Sequence, residues 1–178
     1  AAGFEVGDRV FGMVAFGAQS SQLSVLANQI RKLPDHLSFA EGAAIPVTFL
    51  TAWVCLHEMA RVRPGDRVLI QGAAGGVGLA AVQMAKLAGA VVTGQVGSAE
   101  KFEIVRTFGA DTATTYEDFC SGPFEIILDS QSGASVAKNM AHLAPLGRVI
   151  AFGVSSAAEG SSRSLLTLAK WFLNTPRF

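Results

Sequence analysis

Residues 71–79 read QGAAGGVGL, a stretch made mostly of glycine and alanine. It is preceded by the apolar run RVLI at 67–70 and followed by AAVQMAKLAGA at 80–90. A short apolar run before small residues predicts a buried strand, and the longer apolar segment after them predicts a helix. The stretch is therefore predicted to be the tight connection between a strand and a helix.

The glycine spacing within this connection is that of a dinucleotide-binding loop. Ala73, Gly75 and Gly78 match the three glycine positions of the fingerprint, with alanine in the first. Gly75 would let the backbone approach the phosphates, and Gly78 would let the helix lie close to the strand. Backbone N–H groups near Gly76 and Val77 would then face a pyrophosphate at the positive end of the helix dipole. Taken alone, the loop is explained equally well as a turn that needs glycine only for its backbone conformation.

Strands and helices alternate along the rest of the chain. The patterns predict strands over residues 67–71, 91–96, 111–115, 124–130 and 148–153, and helices over residues 76–88, 99–108, 134–143 and 164–174. Most of the strands are continuous apolar runs, as expected when helices cover both faces of a sheet. We therefore predict an α/β fold with a doubly wound parallel sheet.

The first part of the chain has a different pattern. Between residues 4 and 33, short apolar runs are broken by turn residues, which predicts small antiparallel strands. Ser38 and Glu41 have the spacing of a capping box for a following helix. Pro46 is expected to interrupt that helix, with a second helix over residues 48–59.

Composition narrows the function classes. The chain has 178 residues, of which 50% are hydrophobic and 16% charged, and its formal net charge is zero. It has room for one complete domain and lacks the excess of basic residues that a nucleic-acid surface needs. Cys55 and Cys120 form no metal-binding spacing and fit a reducing compartment. No run approaches about eighteen consecutive apolar residues, so we expect no membrane span. Together with the charge and the cysteines, this predicts a cytoplasmic protein with no nucleic-acid partner.

The second strand of the alternation ends without an acidic residue. NAD sites usually carry Asp or Glu there, about 20 residues after the glycines, to accept a hydrogen bond from the ribose 2′-hydroxyl. Here residues 93–101 read TGQVGSAEK, so Ser98 can donate a hydrogen bond and Lys101 can offer a positive charge to a 2′-phosphate. Tyr116, after the third strand, is placed to lie near the adenine ribose. Lys101 is otherwise an ordinary solvated lysine.

Longer segments carry a family resemblance. The chain resembles the medium-chain dehydrogenase/reductase superfamily, in its zinc-independent quinone oxidoreductase-like branch, through VRPGDRVLIQGAAGGVGLAAVQMAKLAGAVV at 62–92, SAEKFEIVRTFGAD at 98–111, EIILDS at 125–130 and LAPLGRVIAFGVSS at 143–156. VGDRVFG at 6–12 and LSFAEGAAIPVTFLTAW at 37–53 extend the resemblance. The tail from residue 165 is also similar to the vesicle amine transport protein-like subgroup. Several segments in the same order are far more specific than one glycine loop.

The resemblance implies a fold, an activity and a set of binding residues. It implies a Rossmann-like NADP-binding domain over residues 46–178, without its last strand, and part of a β-rich GroES-like substrate domain over residues 1–45. The implied activity is NADPH-dependent hydride transfer to a quinone, an enone or another activated double bond. Carried over residue by residue, the NADP(H)-binding positions are Thr51, Gly75, Gly76, Val77, Gly78, Ser98, Lys101, Tyr116, Phe152, Gly153 and Ser155. By residue type alone, Thr51 fits a bond to its own helix and Phe152 a place in the core equally well.

No metal site is expected. Zinc-containing relatives follow the GDRV strand with a cysteine-rich lobe, whereas residues 11–25 here, FGMVAFGAQSSQLSV, contain neither Cys nor His. The three histidines are scattered, with no other ligand type at a useful spacing. The general acid is not identified: Cys55, Tyr116 and Asp129 are the polar candidates near the expected cleft, and delivery of the proton from solvent stays open.

Three interpretations of function remain. The first is a piece of a free-standing NADPH-dependent quinone or enone reductase, with a homodimer as its assembly. The second is an enoylreductase domain of a polyketide or fatty acid synthase, which would act on an enoyl thioester within a parent megasynthase. The third is a non-catalytic nucleotide-binding module. The chain opens on AAGFEVGDRV without an initiator Met, so we expect a part of a longer polypeptide.

Overall fold

The computed structural model describes residues 3–118 and 122–153. Contacts divide the chain into two compact units, Ala1–Leu50 and Thr51–Phe178. The predicted helix over residues 164–174 and the predicted site residue Ser155 lie outside the described residues.

The first unit contains a small antiparallel sheet and most of a long helix. Strand β1 (Val10–Gly12) pairs with β2 (Ile30–Lys32). Helix α1 (Phe39–Trp53) begins after Ser38, whose hydroxyl accepts a hydrogen bond from the Glu41 N–H at 3.2 Å. The Glu41 carboxylate in turn accepts one from the Ser38 N–H at 2.7 Å. The predicted antiparallel pairing and the predicted capping box are therefore confirmed.

Helix α1 runs through Pro46, where the sequence predicted a break between two helices. Proline removes one backbone donor and crowds the preceding turn, which usually ends a helix. Here the Thr48 hydroxyl donates to the Ala44 carbonyl at 2.6 Å and to the Ile45 carbonyl at 3.3 Å. These are the bonds that a threonine inside a helix commonly makes to its own turn. The helix continues through the proline, so the predicted break is wrong.

A π-helical turn, Val54–Met59, continues α1 without a gap. Together they form a 21-residue helix that is long and apolar enough to cross a bilayer, with a mean hydropathy of 1.6 over its most apolar segment. Of that segment, 22% is buried. Core helices of soluble proteins have the same length and composition, so this feature is a weak indication and the absence of a membrane span stays a prediction.

The second unit is built on a five-stranded parallel sheet, in the order β5-β4-β3-β6-β7. Its strands are β3 (Arg67–Gln71), β4 (Val91–Val96), β5 (Thr112–Thr115), β6 (Phe124–Asp129) and β7 (Leu143–Ala151). The connecting helices are α2 (Gly76–Leu87), α3 (Phe102–Thr107) and α4 (Ala134–Met140), and a 3-10 turn, Ala99–Lys101, leads into α3. This order confirms the predicted α/β fold with a doubly wound, Rossmann-like sheet.

The apolar strands form the core of this unit. Val68, Leu69 and Ile70 of β3 have no exposed surface. Because successive side chains of a strand point to opposite faces, their burial means that both faces of the central strand are covered. Leu69 packs with Phe124 and Ile127 of β6 on one of these faces. The continuous apolar runs of the sequence therefore predicted their position correctly.

The last strand and the helix before it differ from the prediction. Strand β7 begins at Leu143, which pairs with Phe124, whereas the sequence predicted a helix up to residue 143 and a strand from residue 148. The pairing then shifts register, and Leu146 adopts a φ of 64° in this irregular segment. The start of β7 is set by its pairing with β6. The bulged segment has neither an alternating nor a continuous apolar pattern, so the sequence alone gives no signal for a strand there.

Two charged pairs involve residues at the amino ends of the strands, one between two strands and one between α2 and the residue before β5. The Arg67 guanidinium lies 2.7 Å from one Glu125 carboxylate oxygen, and the Arg67 backbone N–H donates to the other at 2.7 Å. These bonds from Arg67 lower the pKa of Glu125 to about 2. Lys86 and Asp111 form a second pair at 2.8 Å. Water reaches both pairs, since their side chains are between 32% and 46% exposed.

Candidate functional site

The strand order reverses at β3, because the chain continues through β4 on one side of it and through β6 on the other. In open parallel sheets a crevice forms outside the carboxyl ends of the strands at such a point. The first residues after β3, β4, β5 and β6 are Gly72, Gly97, Tyr116 and Ser130. All four line one cavity of about 330 Å³. The candidate site therefore lies at the carboxyl edge of the sheet.

The glycine loop after β3 is closely packed at both of its ends. Gly72 has a φ of 66°, in the left-handed region that glycine tolerates, and a Cβ there would lie 2.8 Å from the Ser130 Oγ. A Cβ on Gly78 would overlap the Gly72 carbonyl oxygen and would lie 2.7 Å from the Ala73 Cα. Helix α2 therefore approaches the loop so closely that only glycine fits at position 78.

The first turn of α2 presents backbone donors that have no acceptor within the helix. Gly75 precedes the helix in an extended conformation, and no side chain of the described residues caps it. The Leu79 N–H makes the first helical bond, to the Gly75 carbonyl at 2.8 Å. The N–H groups of Gly76, Val77 and Gly78 lie before that bond, at the positive end of a 12-residue helix. Such an arrangement suits an anionic group.

The cavity brings together three residues that the sequence placed at the dinucleotide, namely Gly75, Lys101 and Tyr116. The Gly72 N–H donates to the Tyr116 hydroxyl at 2.8 Å, so this side chain is bound to the glycine loop. Lys101 is exposed at the end of the 3-10 turn and contributes the positive charge of the lining. Ser98 precedes the same turn and is not among the described residues that line the cavity.

Two further predicted residues, Phe152 and Gly153, follow β7 and lie beside the end of β6. The Phe152 N–H donates to the Asp129 carbonyl at 3.0 Å, and the Gly153 carbonyl accepts a hydrogen bond from the Ser132 hydroxyl at 2.5 Å. Thr51 is half-buried in α1. None of these predicted residues belongs to the described lining of the cavity. Their place beside a nicotinamide stays a prediction.

The carboxylate of Asp129, one of the candidate proton donors, is fully buried and accepts four hydrogen bonds. The backbone N–H groups of Gln131 and Ser132 bind one oxygen at 2.7 and 2.8 Å. The Ser135 hydroxyl and the Asn139 amide bind the other oxygen at 2.5 and 3.0 Å. A carboxylate engaged in this way holds the turn after β6 together and has little capacity left for a substrate.

The described residues do not fit a zinc ion. Nowhere in residues 3–118 and 122–153 do three His, Cys, Asp or Glu side chains come together, whereas zinc needs three or four such ligands. Cys55, another candidate proton donor, is a buried free thiol in the π-helical turn, and burial raises its pKa. We therefore assign no step to a metal ion or to this thiol.

Sequence reasoning missed several residues of this edge. Gly72, Gly97 and Ser130 line the cavity, and each is the first residue after a strand. Position at the carboxyl end of a parallel strand is the signal that could have found them. The buried side chains of Gln71 and Gln95, which meet at 2.8 Å, were also missed, although both are polar residues near the ends of apolar strands.

Sequence comparisons give matches along most of the chain. A family model described as zinc-binding dehydrogenase matches residues 76–174. The chain is 33% identical over 175 residues to the synaptic vesicle membrane protein VAT-1 homolog-like of Homo sapiens, covering 94% of this chain and 42% of that protein. It is 37% identical over 180 residues to a phenolphthiocerol/phthiocerol polyketide synthase subunit of Mycobacterium tuberculosis, covering 94% of this chain and 8% of that protein.

Solved structures share the fold. The quinone oxidoreductase from Thermus thermophilus, a structure that includes a complex with NADPH, superposes with a TM-score of 0.81 at 31% identity, covering 95% of this chain and 56% of that one. The CurK enoyl reductase superposes with a TM-score of 0.79 at 32% identity, covering 86% of this chain and 49% of that one. The chain thus spans at most 56% of the length of these four relatives.

Proposed function

The chain belongs to the zinc-binding dehydrogenase family, and from that premise we propose that it binds NADPH and takes part in the reduction of a small organic acceptor. The membership agrees with the resemblance to medium-chain dehydrogenases that the sequence carries. One observation carries the proposal: Gly75 at the start of α2, the cation of Lys101 and Tyr116 line the same cavity at the carboxyl edge of β3. Backbone donors at a helix start beside a cation are the chemistry that a nucleotide phosphate requires.

The pyrophosphate is the first group that this edge would hold. The N–H groups of Gly76, Val77 and Gly78 would donate to its oxygens at the positive end of α2. Gly75 and Gly76 are exposed and carry no side chain that would block the approach. The Gly72 N–H already donates to Tyr116, so the helix amides supply the contacts.

The lining of the cavity favours NADPH over NADH. Val96 and Gly97 occupy the end of β4, where an NAD site usually carries an acidic residue that would repel a 2′-phosphate. Lys101 lies on the same cavity, and its ammonium group would pair with that phosphate. Ser98 would donate a hydrogen bond to it from the start of the 3-10 turn, and Tyr116 would lie against the adenosine.

Bound NADPH supplies the hydride for the reduction. The work of this chain is to bind the dinucleotide and to present the nicotinamide to the acceptor in a fixed orientation. Thr51, Phe152, Gly153 and Ser155 are the residues proposed to lie around the nicotinamide. The acceptor class proposed is a quinone, an enone or another activated double bond, which is supported by the relative named as a quinone oxidoreductase.

A Lys101→Ala substitution tests the choice of dinucleotide. It should weaken NADPH binding about tenfold or more, because a charge-assisted hydrogen bond to the phosphate is lost, and should leave NADH binding unchanged. Calorimetric titration of both dinucleotides measures the two affinities. Lys138→Ala, an exposed lysine of α4 outside the cavity, is the matched control and should change neither. Equal weakening of NADH and NADPH by Lys101→Ala would show that this lysine acts through the fold.

A second candidate is an enoylreductase domain of a polyketide synthase. The match to a polyketide synthase subunit and the superposition on the CurK enoyl reductase favour it. The two candidates differ in the acceptor, so NADPH oxidation by the full-length protein should be followed with a quinone and with a crotonyl thioester. A kcat/KM that favours the quinone supports the free-standing reductase, and one that favours the thioester supports the synthase domain. NADPH binding with no turnover of either would favour a non-catalytic module.

The remaining expectations from the sequence belong to the same proposal. Residues 1–45 are assigned to a partial GroES-like substrate domain and residues 46–178 to the NADP-binding domain. A free-standing reductase would assemble as a homodimer and work in the cytoplasm without zinc, whereas a synthase domain would work within its parent megasynthase. Size measurement of the full-length protein separates the two assemblies.

A further inference from the structure

A chain of buried amide side chains crosses the sheet close to the candidate site. It consists of Gln95, Gln71 and Asn139, which are 0%, 3% and 1% exposed, and we refer to it as the amide chain. The Gln71 Nε2 donates to the Gln95 Oε1 at 2.8 Å and to the Asn139 Oδ1 at 3.2 Å. The Asn139 Nδ2 donates back to the Gln71 Oε1 at 3.2 Å. Three side chains from β4, β3 and α4 are thereby joined.

The amide chain is anchored at both ends. At one end, the Gln95 Nε2 donates to the Thr115 backbone carbonyl of β5 at 3.3 Å. At the other end, the Asn139 Nδ2 donates to the Asp129 carboxylate of β6 at 3.0 Å. The same carboxylate binds the backbone of the turn that follows β6. One continuous hydrogen-bonded path therefore connects β5, β4, β3, α4 and β6.

Every strand residue on this path precedes a residue that lines the cavity. Gln71, Gln95, Thr115 and Asp129 are followed in the chain by Gly72, Val96, Tyr116 and Ser130 respectively, and all four of the latter line the cavity. None of the residues on the path lines the cavity itself. The path thus links the four strand ends from within the protein, while the cavity lies just beyond them.

Burying these amides is costly, so their place in the structure needs a reason. A buried amide without full hydrogen bonding lowers stability, and apolar side chains of similar volume would fill the same space. A fully bonded polar network differs from apolar packing in that it accepts one arrangement of its members. The amide chain is therefore suited to hold the strand ends at fixed distances from one another.

We propose that the amide chain positions the four strand ends around the cavity and thereby sets its affinity for a dinucleotide, without touching the dinucleotide. The inference rests on the proposed function for the identity of the ligand. Gln95 and Asn139 are positioning residues in this scheme, and each controls a different side of the cavity. Gln95 controls the side of Tyr116 and Lys101, and Asn139 controls the turn at Ser130.

Two substitutions cut the path at different places. Gln95→Met keeps the length of the side chain and removes its bonds to Gln71 and Thr115. Asn139→Leu removes the bonds to Gln71 and Asp129. If the leucine variant does not fold, Asn139→Ala is used in its place. Val68→Ala is the control, because Val68 is fully buried in β3 at the end far from the cavity and its loss destabilises the same sheet.

Hydrogen exchange of the ligand-free chain measures how firmly the strand ends are held. Gln95→Met should speed exchange of the Gly72 N–H, which is bonded to Tyr116, about tenfold more than Val68→Ala does. Asn139→Leu should instead speed exchange of the N–H groups of Gln131 and Ser132, again about tenfold more than Val68→Ala does. Exchange that rises evenly along the sheet in all three variants overturns the proposal, since that is the result for a purely structural role.

Titration with NADPH reads the consequence for affinity. Both path variants should weaken binding about tenfold, while Val68→Ala leaves the affinity of the folded protein within about twofold of wild type. If exchange becomes faster at these N–H groups while the affinity for NADPH is unchanged, the link between the amide chain and the ligand is overturned. A wild-type chain that binds no NADPH would instead overturn the proposed function, and the exchange pattern would still decide whether the strand ends are positioned by the path.

Discussion

The amino and carboxyl ends of the parallel sheet are held by different chemistry. At the amino ends, Arg67 and Glu125 join β3 to β6 through a charged pair whose side chains are 46% and 32% exposed. At the carboxyl ends, the same two strands are joined through Gln71, Asn139 and Asp129, which are at most 3% exposed. Water therefore competes for the first connection and is kept away from the second.

The difference shows where this fold tolerates change. A charged pair that water reaches contributes little, because either partner is solvated again when the other is removed. A buried polar group that loses its partner keeps its desolvation cost without compensation. The carboxyl edge, where the cavity lies, is consequently the region in which single substitutions should have the larger effects.

The largest effect is expected at Asp129. Asp129→Ala removes a buried carboxylate that accepts four hydrogen bonds, and we expect the free energy of unfolding to fall by about 3 kcal/mol. Lys86→Ala is the control, because it breaks a pair whose side chains are 36% and 40% exposed and keeps the bond from the Val92 N–H to Asp111, and it should cost about 1 kcal/mol. Urea unfolding of both variants measures the two losses. Equal losses would remove the contrast between the two ends of the sheet.

An intermediate effect is expected within the glycine loop. Gly78→Ala should lower the free energy of unfolding by about 2 kcal/mol, because its Cβ would collide with the backbone of Gly72 and Ala73. Gly97→Ala adds the same methyl group at the end of β4, where nothing lies within 4 Å, and should change stability by less than about 0.5 kcal/mol. Thermal unfolding of the two variants compares them. A stable Gly78→Ala variant would mean that α2 can move away from the loop.

The smallest effect is expected at the amino end and depends on pH. The pKa of Glu125 is lowered from its usual 4.5 to about 2, so the stabilisation by Arg67 is complete above about pH 4.5 and is lost as the pH falls towards 2. Because water screens the pair, Glu125→Gln should cost only about 1 kcal/mol at neutral pH, and this cost should disappear as the pH falls through about 2. Unfolding curves of the wild type and the variant across this range measure the difference. A difference that stays constant with pH would argue against the ion pair as its source.

The sequence predicted the central part of the fold well because that part is determined locally. Strand β3, the loop and the start of α2 have the predicted bounds, since an apolar run and a row of glycines allow few other structures. The continuation of α1 through Pro46 and the early start of β7 were not predicted. The first runs against the usual effect of a proline on a helix, and the second depends on pairing with β6.

The candidate site was predictable to the extent that it follows single strands. Gly75, Lys101 and Tyr116 line one cavity, because parallel strands bring their carboxyl ends to one edge. That they bind a dinucleotide stays a prediction. The amide chain could not be predicted in this way. Gln71 lies 24 residues from Gln95 and 68 from Asn139, so their contact follows from the strand order and not from any local pattern.

The bond between Tyr116 and the glycine loop has a practical consequence. Tyr116 is the one tyrosine in the sequence of 178 residues, and its hydroxyl accepts a hydrogen bond from the Gly72 N–H. Biosynthetic incorporation of fluorotyrosine would therefore give a single fluorine resonance, with no assignment problem, from an atom next to the glycine loop. A ligand that enters the cavity at the carboxyl edge of the sheet should shift this resonance.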